Sequence, residues 1–162
     1  MTHEDVALVY TGDLLMSTGS TSVSSSKTVQ LSAGVSEASD GSLGSQLGTA
    51  SVVFTVKDIN GATKATCTSK VSVPGTYTGT GTAGCSVVLG EGNYTVTMAL
   101  QTPNGYYTGS FETGAVTVVL SGTGFTTDGG WLREPTLQTR SNLGFPVKFL
   151  KNGGVQGNSL CT

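Results

Sequence analysis

The stretch Gly92-Asn93-Tyr94-Thr95-Val96-Thr97-Met98-Ala99-Leu100 decides the fold. Its alternation sends Tyr94, Val96, Met98 and Leu100 one way and Thr95, Thr97 and Ala99 the other. A period of two, built from β-branched and aromatic residues, marks a strand with one face on a core and one in water. Turns close it at both ends, Gly90-Glu91-Gly92 before and Thr102-Pro103-Asn104-Gly105 after. One such strand cannot bury its apolar side alone, so the other hydrophobic runs must supply partners.

Working outward, six runs do so. Residues 65–73 and 84–89 stand before the central stretch, around a connection rich in Pro, Gly and Thr. Residues 50–57 precede them and end in Asp58-Ile59-Asn60-Gly61, where Asn-Gly is a strong hairpin signal. Residues 28–35 place Val29, Leu31, Ala33 and Val35 on one face, and 6–10 begin the series. Residues 115–120 complete it. Between the first two strands, residues 17–27 are almost all Ser, Thr and Gly; close flanking by strands reads them as a long polar edge passage, with a flexible linker as the alternative. Seven short strands without a helical period predict an all-β chain, an antiparallel two-sheet sandwich, with a closed barrel as the alternative.

Composition agrees. Charged residues make up 11%, well under the roughly 25% of an average globular chain. The 24 glycines could signal disorder, but the abundance of Val and Thr and the net charge of -2 speak for a turn-rich β domain. Eight basic residues, thinly spread, give no nucleic-acid footprint. No apolar run approaches the roughly 20 residues of a membrane span. The acidic N-terminus, Met1-Thr2-His3-Glu4-Asp5, lacks the apolar region of a signal peptide. The chain is therefore expected to be either cytoplasmic or a piece of a longer exported protein.

The ordered set Val6-Ala7-Leu8-Val9-Tyr10-Thr11-Gly12, Thr28-Val29-Gln30-Leu31-Ser32-Ala33, Ala50-Ser51-Val52-Val53-Phe54-Thr55-Val56 and Gly92-Asn93-Tyr94-Thr95-Val96-Thr97 resembles the immunoglobulin-like repeat modules of bacterial secreted and surface proteins. The similarity covers about residues 5–120 and implies an immunoglobulin-like sandwich serving as a spacer or adhesive unit, seldom as a catalyst. The tail carries Gly129-Gly130-Trp131 and later Ser141-Asn142-Leu143-Gly144-Phe145, and resembles part of a small β module found after such repeats. The expected domains are thus 1–121, the sandwich, and 122–162, a β appendage that stops short and leaves an unpaired edge.

On strands expected as the two arms of one hairpin-like unit, Cys67 falls in phase with Ser69 and Val71, and Cys85 with Val87 and Leu89, so both can face inward and meet across or between the sheets. A bridge would contribute about 3 kcal/mol by loop entropy and would argue for an oxidising compartment. Two buried thiols are the alternative, and Cys161 is left over near the C-terminus. One histidine and three widely spaced cysteines give no zinc set, and no pair of carboxylates is brought together by spacing. Asp58-Ile59-Asn60-Gly61 opens like a calcium loop but lacks the downstream ligands, so it reads as a turn. No catalytic residue, metal or cofactor is expected.

The reading is a non-catalytic structural or adhesive module, extracellular or at the cell surface. One alternative is carbohydrate binding through Tyr106, Tyr107 and Trp131, whose faces could stack on sugars unless the tyrosines close the core and Trp131 anchors the tail. Another is self-assembly into a homo-oligomer, with Val147, Phe149 and Leu150 as the donated edge. A polysaccharide or another protein chain is the expected partner.

Overall fold

The computed structural model describes residues 4–38, 44, 46–103, 105–109, 112–121, 125–133, 140–149, 155–157 and 160–161. These are strands and turns, with one short 3-10 turn at Leu47–Thr49. Among them no helix is long and apolar enough to cross a membrane. Contacts divide the chain into two units, Met1–Met16 with Ser26–Val119, and Ser17–Ser25 with Leu120–Thr162.

The larger unit contains β1 (Glu4–Tyr10), β2 (Leu15–Ser17), β3 (Ser26–Glu37), β4 (Ser51–Asp58), β5 (Thr63–Lys70), β6 (Thr80–Gly90), β7 (Gly92–Gln101), β8 (Tyr107–Gly109) and β9 (Glu112–Val119). They form two sheets, in the orders β6-β3-β1-β8 and β2-β9-β7-β4-β5. Each sheet turns its alternating apolar face to a common core. Val29, Leu31, Ala33 and Val35 come from β3, Val52, Phe54 and Val56 from β4, and Val96 and Met98 from β7, all at most 2% exposed. Each fully buried Val, Leu, Phe or Met side chain is worth about 1.5–3 kcal/mol. The all-β, two-sheet expectation holds.

Three details differ from the sequence reading. The short strands β2 and β8 were not anticipated, because three residues are too few to show a period. The pair β1–β8 is parallel, Glu4 opposite Tyr107 and Val6 opposite Gly109, whereas an antiparallel sandwich was expected. The chain changes sheet between Gln101 and Tyr107, so β8 arrives running the same way as β1. Finally, the two cysteine strands, expected as arms of a hairpin-like unit, are edge strands of different sheets, β5 of one and β6 of the other.

Away from the cysteine strands a side chain bridges the sheets. Tyr10, last residue of β1, lays its ring on Gly114 of β9, where an added Cβ would collide with the ring. Its hydroxyl donates to the Asp13 carbonyl at 2.9 Å. The Asp13 carboxylate in turn accepts the Gln30 amide at 2.8 Å, tying the β1–β2 turn to β3.

The smaller unit has its own antiparallel sheet, β10 (Phe125–Arg133), β11 (Arg140–Phe149), β12 (Val155–Gly157) and β13 (Leu160–Cys161). β11 pairs with β10 from Arg140 to Lys148 and with β12 and β13 on its other side. The passage Ser17–Ser25 joins this unit through Ser17 Oγ and Ser121 Oγ, 2.6 Å apart, and the Ser121 amide, which donates to the Ser20 carbonyl at 2.8 Å.

Gly114→Ala drives a methyl into the Tyr10 ring and should cost about 1–3 kcal/mol in urea unfolding. Burial, then the neighbouring Asp13 charge, raises the Tyr10 phenol to about 12. The folded chain therefore keeps this proton after the unfolded chain has lost it. Stability should fall as pH rises from about 10 to 12, and less steeply in Tyr10→Phe.

Candidate functional site

Three local constellations and one cleft carry the polar chemistry of the larger unit. The first is the seam between β5 and β6. Cys67 and Cys85 form a disulfide, with Cα atoms 6.4 Å apart and a separation of 18 positions in sequence. Two positions along, the Gly84 amide donates to Ser69 Oγ at 3.2 Å. Beyond that, Ser72 and Thr82 exchange backbone hydrogen bonds at 2.8 and 2.9 Å. The phase reading placed the cysteines correctly: both are partly buried and packed against the core. The seam closes the edge at which the chain crosses from one sheet to the other.

The second constellation was missed. Glu37 continues the inward phase of Val29, Leu31, Ala33 and Val35, so β3 ends by sending a carboxylate towards the core. Its Oε1 accepts the Tyr107 hydroxyl at 2.6 Å and the Tyr77 hydroxyl as well. The Tyr107 oxygen also accepts the Gln46 amide at 3.1 Å. Glu37 Oε2 is buried and, among the described residues, has no hydrogen-bond partner. Burial, then the bond to Glu37, pushes both phenols above the ordinary tyrosine value. The signal lay in the sequence, since a carboxylate in an apolar phase must find donors.

This cluster fixes the role of the aromatic pair. Tyr107 is 5% exposed and belongs to the core, so its ring faces are closed to a stacking sugar. That corrects its assignment as a stacking residue and agrees with the alternative in which it closes the core. Tyr106 is half-buried and meets Tyr107 edge to face, with ring centroids 4.9 Å apart. Asn104 lies outside the described residues.

The third is the β4–β5 hairpin. Asp58 Oδ1 accepts the amides of Asn60 and Ala62, both at 2.9 Å, and Oδ2 pairs with Lys64 Nζ at 2.9 Å. Gly61 takes φ +81, a left-handed conformation that glycine adopts without strain. The Lys64 hydrogen bond, then the backbone amides, hold the Asp58 carboxyl below its ordinary value. Asp58 is thus occupied as a turn former. Among the described residues no three of His, Cys, Asp and Glu are placed to share a metal ion.

The cleft, ≈ 410 Å³, is lined by Thr49, Ser51, Gln101, Thr102 and Pro103 at the end of β4 and β7. Every polar group lining it is neutral.

In the smaller unit, Trp131 stands on β10 opposite Asn142, and its side chain lies outside the described part. Val147 and Phe149 stand on β11, paired to Thr126 and Gly157 and to Val155 respectively. They were expected to form an open edge. They lie instead on an interior strand, because the residues that follow turn back as β12 and β13. Leu150 lies outside the described residues.

Lys64→Ala should raise the Asp58 pKa towards its ordinary value, read by carboxyl NMR titration. Because that pKa is lowered on folding, its contribution to stability is present at neutral pH and lost as pH falls through the folded value. Tyr107→Phe leaves a buried carboxylate short of a donor and should cost about 1–3 kcal/mol. No family model, curated protein or solved structure matches the chain.

Proposed function

We propose that this chain is a non-catalytic structural module of an exported protein, an immunoglobulin-like sandwich whose open edge is closed covalently. The observation that carries the reading is the Cys67–Cys85 bridge between edge strands of opposite sheets. Disulfides persist in oxidising compartments, which supports export. The immunoglobulin-like assignment draws on topology: β1, β3 and β6 share one sheet and β4, β5, β7 and β9 the other, a division made by chain crossovers of the Greek-key kind. Placement in a bacterial surface protein rests on the sequence resemblance. A spacer must stay folded under load and among proteases, and a bridge across the crossover removes the edge from which two sheets would part.

Pairing of β11 with β10 on one side and with β12 and β13 on the other weighs against the strand-donation reading. The aromatic sugar platform loses Tyr107 to the core.

Pulling the chain from its ends, with and without reductant, tests the proposal. The oxidised module should yield at higher force, and reduction should add about 60 Å of contour, 18 residues at full extension. Replacing both cysteines by serine should cost about 3 kcal/mol in chemical denaturation. Equal unfolding forces and equal stability in the two redox states would sink the structural role.

A further inference from the structure

The larger unit distributes its charge unevenly. Residues 1–119 contain four lysines, Lys27, Lys57, Lys64 and Lys70, and no arginine. Three of them, Lys57, Lys64 and Lys70, stand on β4 and β5 of the five-stranded sheet, and all three are exposed. Because Val52, Phe54 and Val56 are buried, Ser51, Val53, Thr55 and Lys57 occupy the outward face of β4. Directly opposite Ser51 is Lys70, and opposite Lys57 is Thr95. The six-residue separation of Ser51 and Lys57 puts the two exposed ammonium groups about 20 Å apart along the strands.

Between them lies a surface of neutral hydrogen-bonding groups. Thr66, Thr55, Thr97 and Thr113 line up across four adjacent strands in register. The next row has short side chains, Val53 beside Thr68 and Ala99. The row beyond it ends in Ser51 and Gln101, which open into the neutral cleft of ≈ 410 Å³. Asp58, the acidic residue of β4, is engaged by Lys64. In a chain of net charge -2, this face thus presents hydroxyls flanked by lysines.

We infer that the outward face of the five-stranded sheet, from Lys57 through the threonine row to Lys70 and the Ser51–Gln101 cleft, binds an acidic polysaccharide. Hydroxyl and amide side chains both donate and accept, matching sugar hydroxyls, while ammonium groups at the two ends meet carboxylates spaced along the polymer. Small Val53 and Ala99 let rings lie close to the sheet. The inference goes beyond the structural role, which a module with no ligand would still fill.

The test is binding of the full chain to polygalacturonate at low and moderate salt, with its fully methyl-esterified form as the neutral match. Polygalacturonate should bind at least about tenfold tighter than the ester and weaken as salt rises. Lys57→Gln with Lys70→Gln should lose about tenfold in affinity with an unchanged melting temperature, while Lys27→Gln, on the other sheet, should lose none. Thr55→Val with Thr97→Val should weaken binding in moderate salt, where charge is screened. Equal binding of acid and ester would overturn the proposal, as would an intact double-lysine variant that binds normally. Equally tight binding of inorganic polyphosphate or single-stranded DNA would reduce the face to a generic cation patch and overturn it too.

Discussion

Keeping two sheets face to face is the constraint on which the larger unit depends. The apolar layer between them supplies most of the free energy, but it is non-directional and would tolerate sliding or parting at the edges. The seam between β5 and β6 removes that freedom on one side, through Cys67–Cys85, Ser69 with Gly84, and Ser72 with Thr82. Away from that seam the Tyr10 ring on Gly114 does the same by shape. One tie is covalent and directional, the other is steric. Between them the core residues can stay small and β-branched, because registry does not rest on interlocking large rings.

The polar groups inside this frame follow from the same geometry. A strand that runs one inward position too far, as β3 does at Glu37, brings a carboxylate into the end of the core. Two phenols and the Gln46 amide then gather around it. Tyr107 sits there because β8 runs parallel beside β1, which carries it to that end. The aromatic pair therefore serves the fold, and the surface left for recognition is the broad polar face of the other sheet.

Much of this was legible in the sequence. The alternation in residues 92–100 gave the orientation of every inward residue on β7, and the cysteine phases gave the bridge. What escaped has physical reasons. Three-residue strands carry no period. A parallel pairing depends on where a turn sends the chain, which local propensity does not encode. Val147 and Phe149 looked like an exposed edge because their partners, Val155 and Gly157, come from a stretch with little strand character of its own. The Glu37 cluster was readable, by extending an apolar phase to its end and asking what an acid would do there.

The union of Ser17–Ser25 with Leu120–Thr162 has a consequence for how the protein is made. Ser17 and Ser121 are 104 positions apart, and the Ser20 carbonyl waits for the Ser121 amide. During synthesis the polar passage after β2 leaves the ribosome early and stays without these partners until nearly the whole sandwich has emerged. Such late-closing contacts slow folding without adding much to stability. The composition of the passage suits that wait: Ser, Thr and Gly offer nascent-chain neighbours and chaperones little apolar surface to seize while the rest of the chain arrives.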